Sequence, residues 1–146
     1  MLGDLEVGID IAAPPRTVWE YVTDWERQSE WIPLTTVRTE GSTVIARTAL
    51  GPLGFDDPME VAAWEPPHRC ELVHTGRVVR GTGAFTCAAA GTGTRFVWSE
   101  HVAVPGGPAA PVLWLAARPA LQLGFAHALR RLRDRLESGA GRAPVS

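Results

Sequence analysis

A carboxylate in line with large apolar side chains is the first place to look for chemistry in this sequence. Gly93 to Val102 reads G-T-R-F-V-W-S-E-H-V. At a strand's period of two, Phe96, Trp98, Glu100 and Val102 share one face, and Arg95, Val97, Ser99 and His101 the other. If the aromatic face is turned inward, Glu100 goes with it. A carboxyl group withdrawn from water has a raised pKa unless a cation or several donors accompany it, and such a group suits general acid/base work. The competing reading is a Glu100 near the strand end that pairs with an arginine and orders the sheet.

His74 is the second candidate, because Cys70 and Leu72 share its parity and should carry it to the same inner side. Its alternative is a half-exposed histidine at a strand end. Between these two strands runs a third, on which Val79, Gly81, Gly83 and Phe85 share a parity. Glycines at 81 and 83 leave a hollow that a ligand could enter, or they merely let the strand bend. In the strand order that the family resemblance given below implies, two strand spacings separate His74 from Glu100, roughly 10 Å at the backbone. The two are therefore expected to reach one ligand across the gap and not each other. Trp98, Phe96, Phe85 and Leu72 would wall that ligand. Arg47, on the parity of Ile45 and Ala49, would face it if turned inward and neutralise an acidic group; exposure to solvent is the commoner fate of an arginine.

Other chemistries find no residues. All fourteen basic residues are arginine, so this chain offers no Schiff-base or phosphate-loop lysine. Glu100 and His101 are consecutive in a strand and point apart, and no H-x-x-H pattern occurs, so no metal site is expected. Gly91-Thr92-Gly93 is a hairpin turn with no helix after it, and no G-x-S-x-G elbow exists. Cys70 and Cys87 read as two buried thiols in a reducing compartment. The formal net charge of -2 gives no reason to expect nucleic acid as a partner. The first residues, M-L-G-D-L-E-V, lack the marks of a signal peptide, and the longest apolar run is too short to span a bilayer. A cytoplasmic protein without membrane insertion is the expectation.

The elements that must position these residues can be read in order. Leu5, Val7, Ile9 and Ile11 alternate with polar partners as a half-buried strand. Pro14-Pro15 opens a short helix, Arg16 to Thr23, and Asp24 can cap a second, Trp25 to Trp31. Short strands follow: Thr36–Glu40, Thr43–Ala49, Met59–Trp64, Arg69–His74, Val78–Ala88 and Thr94–Val104. Gly51 to Gly54 and Asp57-Pro58 read as loop. Pro105 to Pro111 is a breaker-rich loop. Leu121, Phe125, Ala128, Leu129, Leu132 and Leu136 then repeat at three and four along a long helix, with a kink or break expected at Pro119. The 146 residues suit one α+β domain over residues 1–138, with 139–146 as a flexible tail.

The stretch I-A-A-P-P-R-T-V-W-E-Y-V-T-D-W-E-R-Q-S-E-W-I-P, Ile11 to Pro33, resembles the first segment of the polyketide cyclase/dehydrase-like proteins of the START-like, helix-grip superfamily. W-E-P-P-H-R, Trp64 to Arg69, and G-T-R-F-V-W-S-E, Gly93 to Glu100, are similar to later segments of the same family. The resemblance implies a curved seven-stranded antiparallel sheet around the C-terminal helix, an apolar cavity between them, and two short helices capping it. It also implies a hydrophobic or polyketide-like small molecule as partner and no cofactor. Aromatase/cyclases of the family use a cavity arginine and tyrosine. Here the only tyrosine is Tyr21, in the first helix, and Val61 to Trp64 holds no arginine. Two functions follow as expectations: a cyclase, aromatase or dehydratase with Glu100 and His74 as its acid/base pair, or a non-catalytic carrier of a lipid or aromatic metabolite in which they only orient the ligand. An uncovered sheet edge leaves room for a homodimer.

Overall fold

Alternation along the first strand sets the geometry of the whole sheet. In the computed structural model, which describes residues 1–139, β1 (Leu2–Ile11) buries Gly3, Leu5, Val7 and Ile11 and exposes most of the residues between them. The remaining strands are β2 (Thr35–Glu40), β3 (Thr43–Leu50), β4 (Leu53–Glu65), β5 (Arg69–Thr75), β6 (Arg80–Ala90) and β7 (Gly93–Ala103). They form one antiparallel sheet in the order β1-β7-β6-β5-β4-β3-β2. Between β1 and β2 lie helix α1 (Pro15–Val22) and a 3-10 helix (Trp25–Glu30). Pro15 opens α1 as expected, whereas Asp24 makes no side-chain cap to the turn that follows it. The α+β helix-grip architecture is completed by α2 (Ala110–Glu137).

Two elements differ from their sequence signals. The segment expected to be a loop up to Asp57-Pro58 is strand: β4 begins at Leu53 and runs thirteen residues. It carries a bulge between Val61 and Ala63. The extra residue shifts the side-chain parity, so Asp57 and Met59 before it and Trp64 after it turn to the concave face. Helix α2 starts at Ala110, inside the expected loop, and runs through Pro119 without a break. Proline there costs the hydrogen bond to the carbonyl of Leu115. Leu115 is 77% exposed, so water can satisfy that carbonyl. The expected tail lies, from residue 140 onward, outside the described residues.

Only the second half of α2 is fully docked. Ala128, Leu129, Leu132 and Leu136 are buried against the sheet, while Val112, Leu115 and Leu123 on its first half are exposed. The lower half is tied down by polar links. Glu137 accepts a hydrogen bond from the Ala12 N–H at 3.0 Å. Arg135 donates to the Tyr21 hydroxyl at 2.9 Å, and Tyr21 donates to Glu30 at 2.7 Å. Burial pushes the Tyr21 hydroxyl's pKa up, and the bond to Glu30 adds to the rise. The guanidinium of Arg27 holds the Glu30 carboxyl below its ordinary range.

Trp31 closes the core where the 3-10 helix meets the sheet. It is 0% exposed and packs with its ring centroid 6.1 Å from Phe85, 6.4 Å from Phe96 and 5.8 Å from Trp98. Its indole N–H has no hydrogen-bond partner, so it contributes through packing. Truncation of Trp31 to alanine should therefore cost about 3–5 kcal/mol, the usual range for a fully buried aromatic. Urea denaturation of the purified variant measures it; a loss under about 1 kcal/mol would mean that the cluster does not depend on this ring.

Candidate active site

The docked lower half of α2 and the lifted upper half leave a pocket of about 440 Å³ between helix and sheet. Its walls are mainly apolar. Trp98 stacks on Phe125 of α2, with centroids 4.0 Å apart and planes 16° from parallel. Trp25, Trp114 and Leu121 complete the helical side, and Phe85 and Leu72 belong to the sheet side. Trp114 lies directly over Gly3, where a Cβ would stand 2.7 Å from the indole ring.

One charged cluster interrupts this surface. His74 of β5 stands between two carboxylates. Its Nδ1 lies 2.8 and 3.0 Å from the two oxygens of Asp57, and its Nε2 lies 2.8 Å from Oε2 of Glu100. The Trp98 indole N–H donates to the other Glu100 oxygen at 2.9 Å. All three charged residues line the pocket. The His74 side chain is 5% exposed and each carboxylate side chain 13%.

Register explains how they meet. His74 is opposite Gly81, and Glu100 is opposite Gly83, on the strand between them. The expectation that the two side chains are too distant to touch is corrected here. Without a side chain at Gly83, the Glu100 carboxylate folds across β6; a Cβ on that glycine would lie 2.7 Å from each of its oxygens. Gly81 has a different task. It sits at φ 136° with its backbone against the His101 carbonyl, and it does not line the pocket.

Burial alone would depress the His74 pKa. The hydrogen bonds that His74 donates to Asp57 and Glu100, together with the charges of those carboxylates, outweigh it and push the value up to about 10. The imidazole is therefore a cation over the physiological range.

The other sequence candidates divide. Trp98, Phe85, Leu72 and Gly83 line the pocket. Phe96 shares their face but is 0% exposed and packed beneath Trp31, so it is core and not wall. Arg47 points outward: it pairs with Asp56 at 3.1 Å and its side chain is 47% exposed. The pocket-facing residues of its strand are Ala46 and Thr48, the opposite parity. Asp57 escaped notice because the Asp57-Pro58 pair reads as loop; the spacing Phe55, Asp57, Met59 was the available signal. Cys70 and Cys87 are free and buried, with burial pushing their thiols up to about 11 and about 12. Among the described residues, no group of three His, Cys, Asp or Glu side chains is placed to hold a metal ion, and no helix is long and apolar enough to cross a membrane.

Sheet, long helix and pocket define a helix-grip protein with a buried polar cluster. The chain belongs to the family described as polyketide cyclase/dehydrase and lipid transport, whose model matches residues 3–137. Three similar solved structures share its fold. TTHA0849 from Thermus thermophilus has a TM-score of 0.77 at 17% identity, covering 94% of this chain and 99% of that one. The di-domain aromatase/cyclase StfQ of the steffimycin biosynthetic pathway has a TM-score of 0.72 at 14% identity, covering 97% of this chain and 53% of that one. DynU16, a putative protein of the dynemicin biosynthetic locus, has a TM-score of 0.67 at 23% identity, covering 96% of this chain and 49% of that one. This chain thus spans about half the length of the last two. Among curated protein sequences none matches.

Two outcomes follow from the cluster. Because the folded-state pKa of His74 is raised, its contribution to stability is complete below its ordinary value of 6.5 and is lost as the pH rises through about 10. The urea midpoint should fall across that window, and fall less in His74→Gln; an identical slope in both proteins would contradict the assignment. In Gly83→Ala the displaced atoms are the end of a flexible side chain, so the variant should fold with Glu100 pushed off His74. NMR titration should then find His74 ionising at a lower pH than in the parent protein, and an unchanged value would contradict the geometry.

Proposed function

We propose that this protein is a cofactor-independent enzyme that cyclises or dehydrates a hydrophobic, polyketide-like molecule, with Glu100 as the acid/base group that meets the substrate. The observation that carries this reading is the His74 imidazole held between Asp57 and Glu100 on the wall of an otherwise apolar 440 Å³ pocket. Perturbed titratable groups of this kind concentrate at catalytic sites. Membership in the family matching residues 3–137 supports the same class of substrate.

The chemistry asks little beyond a shaped pocket and one poised carboxylate. A carbon flanked by a carbonyl loses a proton to Glu100, leaving an enolate. In a dehydration the protonated Glu100 returns that proton to the departing β-hydroxyl; the C–O bond breaks, water leaves and a C=C bond forms. In a cyclisation the enolate carbon attacks a second carbonyl of the same chain, a C–C bond forms, and Glu100 protonates the new alkoxide. Trp98, Phe125 and Phe85 decide which carbons meet by fixing the folded chain. Both ring nitrogens of His74 are engaged, so it acts through Glu100: its 2.8 Å bond fixes the orientation of the carboxylate. Asp57 fixes the ring from the other side.

The same closed network favours a second reading. A histidine with both nitrogens satisfied and a 5% exposed side chain could serve a carrier as a fixed polar anchor. The two separate on turnover. With a β-hydroxy thioester surrogate, Glu100→Gln should lose roughly 100-fold or more in kcat while substrate affinity stays within a fewfold of the parent. His74→Gln should lower kcat at similar KM and remove an alkaline limb near pH 10 from the rate profile. Tight binding with no turnover by the parent protein on any such surrogate would leave the carrier.

A further inference from the structure

Hydrogen-bond accounting at the cluster says what kind of head group the pocket takes. Every N–H of the cluster is spent within it: both imidazole nitrogens and the Trp98 indole nitrogen face Asp57 or Glu100. What remains open are lone pairs on the two carboxylates, each of which can accept about four hydrogen bonds. Two short contacts on opposite sides of one imidazole need two bridging protons. Two carboxylates (−2) and an imidazole ring whose only two N–H protons are the bridging ones (+1) sum to one negative charge wherever each proton rests. No arginine is among the residues lining the pocket, and the chain has no lysine. The remaining polar groups of the lining, on Gln28, Thr35, Thr48 and the Trp25 and Trp114 indoles, are uncharged. One of the two Gln28 amide N–H groups donates to the Val22 carbonyl, and the Thr35 hydroxyl donates to that of Pro33.

We propose that the pocket selects a hydrophobic molecule whose buried polar group donates hydrogen bonds and carries no negative charge, such as a hydroxyl or an amine, and rejects free carboxylates and phosphates. The proposal rests on the reading that this pocket is the ligand site, and it holds for enzyme and carrier alike. An anionic head would be buried beside a cluster of its own sign, with no arginine or lysine in the lining to neutralise it. A hydroxyl would place its hydrogen on Asp57 or Glu100. In the enzymatic reading, the acyl chain then enters as an ester or thioester and not as the free acid.

Three probes with one tail test this: decanol, decylamine and decanoate, titrated against the purified full chain by quenching of tryptophan fluorescence. Decanol or decylamine should bind at least ~10-fold more tightly than decanoate, the scale expected for an uncompensated like-charge contact. Decylamine ahead of decanol would make charge the selector; parity between them would assign selection to hydrogen bonding. Asp57→Asn and Glu100→Gln should each raise decanoate affinity and narrow the gap. The comparison within the parent protein stands even if neither variant folds. Decanoate binding as tightly as decanol overturns the proposal while leaving the ligand site intact. Binding of none of the three overturns both.

Discussion

The missing side chain at Gly83 is the constraint on which the site depends. Neighbouring strands keep their backbones about 4.8 Å apart, and His74 and Glu100 are separated by a whole strand. They join at 2.8 Å only because the strand between them presents bare backbone at the crossing point. The register makes the crossing possible, since Gly83 pairs with Glu100 and Gly81 with His74. Charge then fixes what sterics allow. A lone imidazole in this apolar setting would be neutral, and a lone carboxylate would take up a proton. The two carboxylates beside His74 instead raise its pKa.

A second constraint makes the space that the cluster faces. Helix α2 is a rod of 28 residues, about 42 Å long. Its lower turns are fastened by Leu129, Leu132, Leu136 and the links through Tyr21 and Glu137. Its upper and middle turns meet the sheet through large rings: Trp114 on Gly3, and Phe125 on Trp98. These rings act as spacers between helix and sheet. Trp31 fills the concave face against Phe85, Phe96 and Trp98 and does not line the pocket beyond it. Core and pocket are thus two ends of one groove, filled at one end and hollow at the other.

How much of this was legible in the sequence depended on whether period two survived. In β5, β6 and β7 it did, and His74, Leu72, Phe85, Trp98 and Glu100 were all placed on the correct face. In β4 the Gly51-Pro52 turn, Pro58 and the bulge after Val61 broke the pattern, and Asp57 was hidden inside an apparent loop. Arg47 was misplaced because Ile45 looked like a core marker. It is indeed 8% exposed, yet it belongs to the outer face, while the smaller Ala46 and Thr48 border the pocket. Phe96 illustrates a different limit: parity reports which face a residue occupies but not whether that face is wall or core. The contact between His74 and Glu100 was out of reach for the same reason, since it depends on rotamers that the pattern does not encode.

The energetics of the cluster are consistent with the functional role proposed for it. Two carboxylates and an imidazole withdrawn from water lose more solvation than their mutual attraction restores in most folds, and apolar residues of similar volume often serve stability as well or better. Nothing in the packing demands charge at these positions. Asp57 and Glu100 lie on the pocket surface, where leucine or methionine would extend the apolar lining already formed by Leu72, Met59 and Val102. The carboxylates do not cap a helix or satisfy orphaned backbone groups; their partners are His74 and the Trp98 indole. The cluster is therefore a self-contained polar island, stabilised by its own members and open on one side to a cavity. The charges of such an island stabilise one another, and its open lone pairs suit the hydrogen-bond-donating ligand proposed for the pocket.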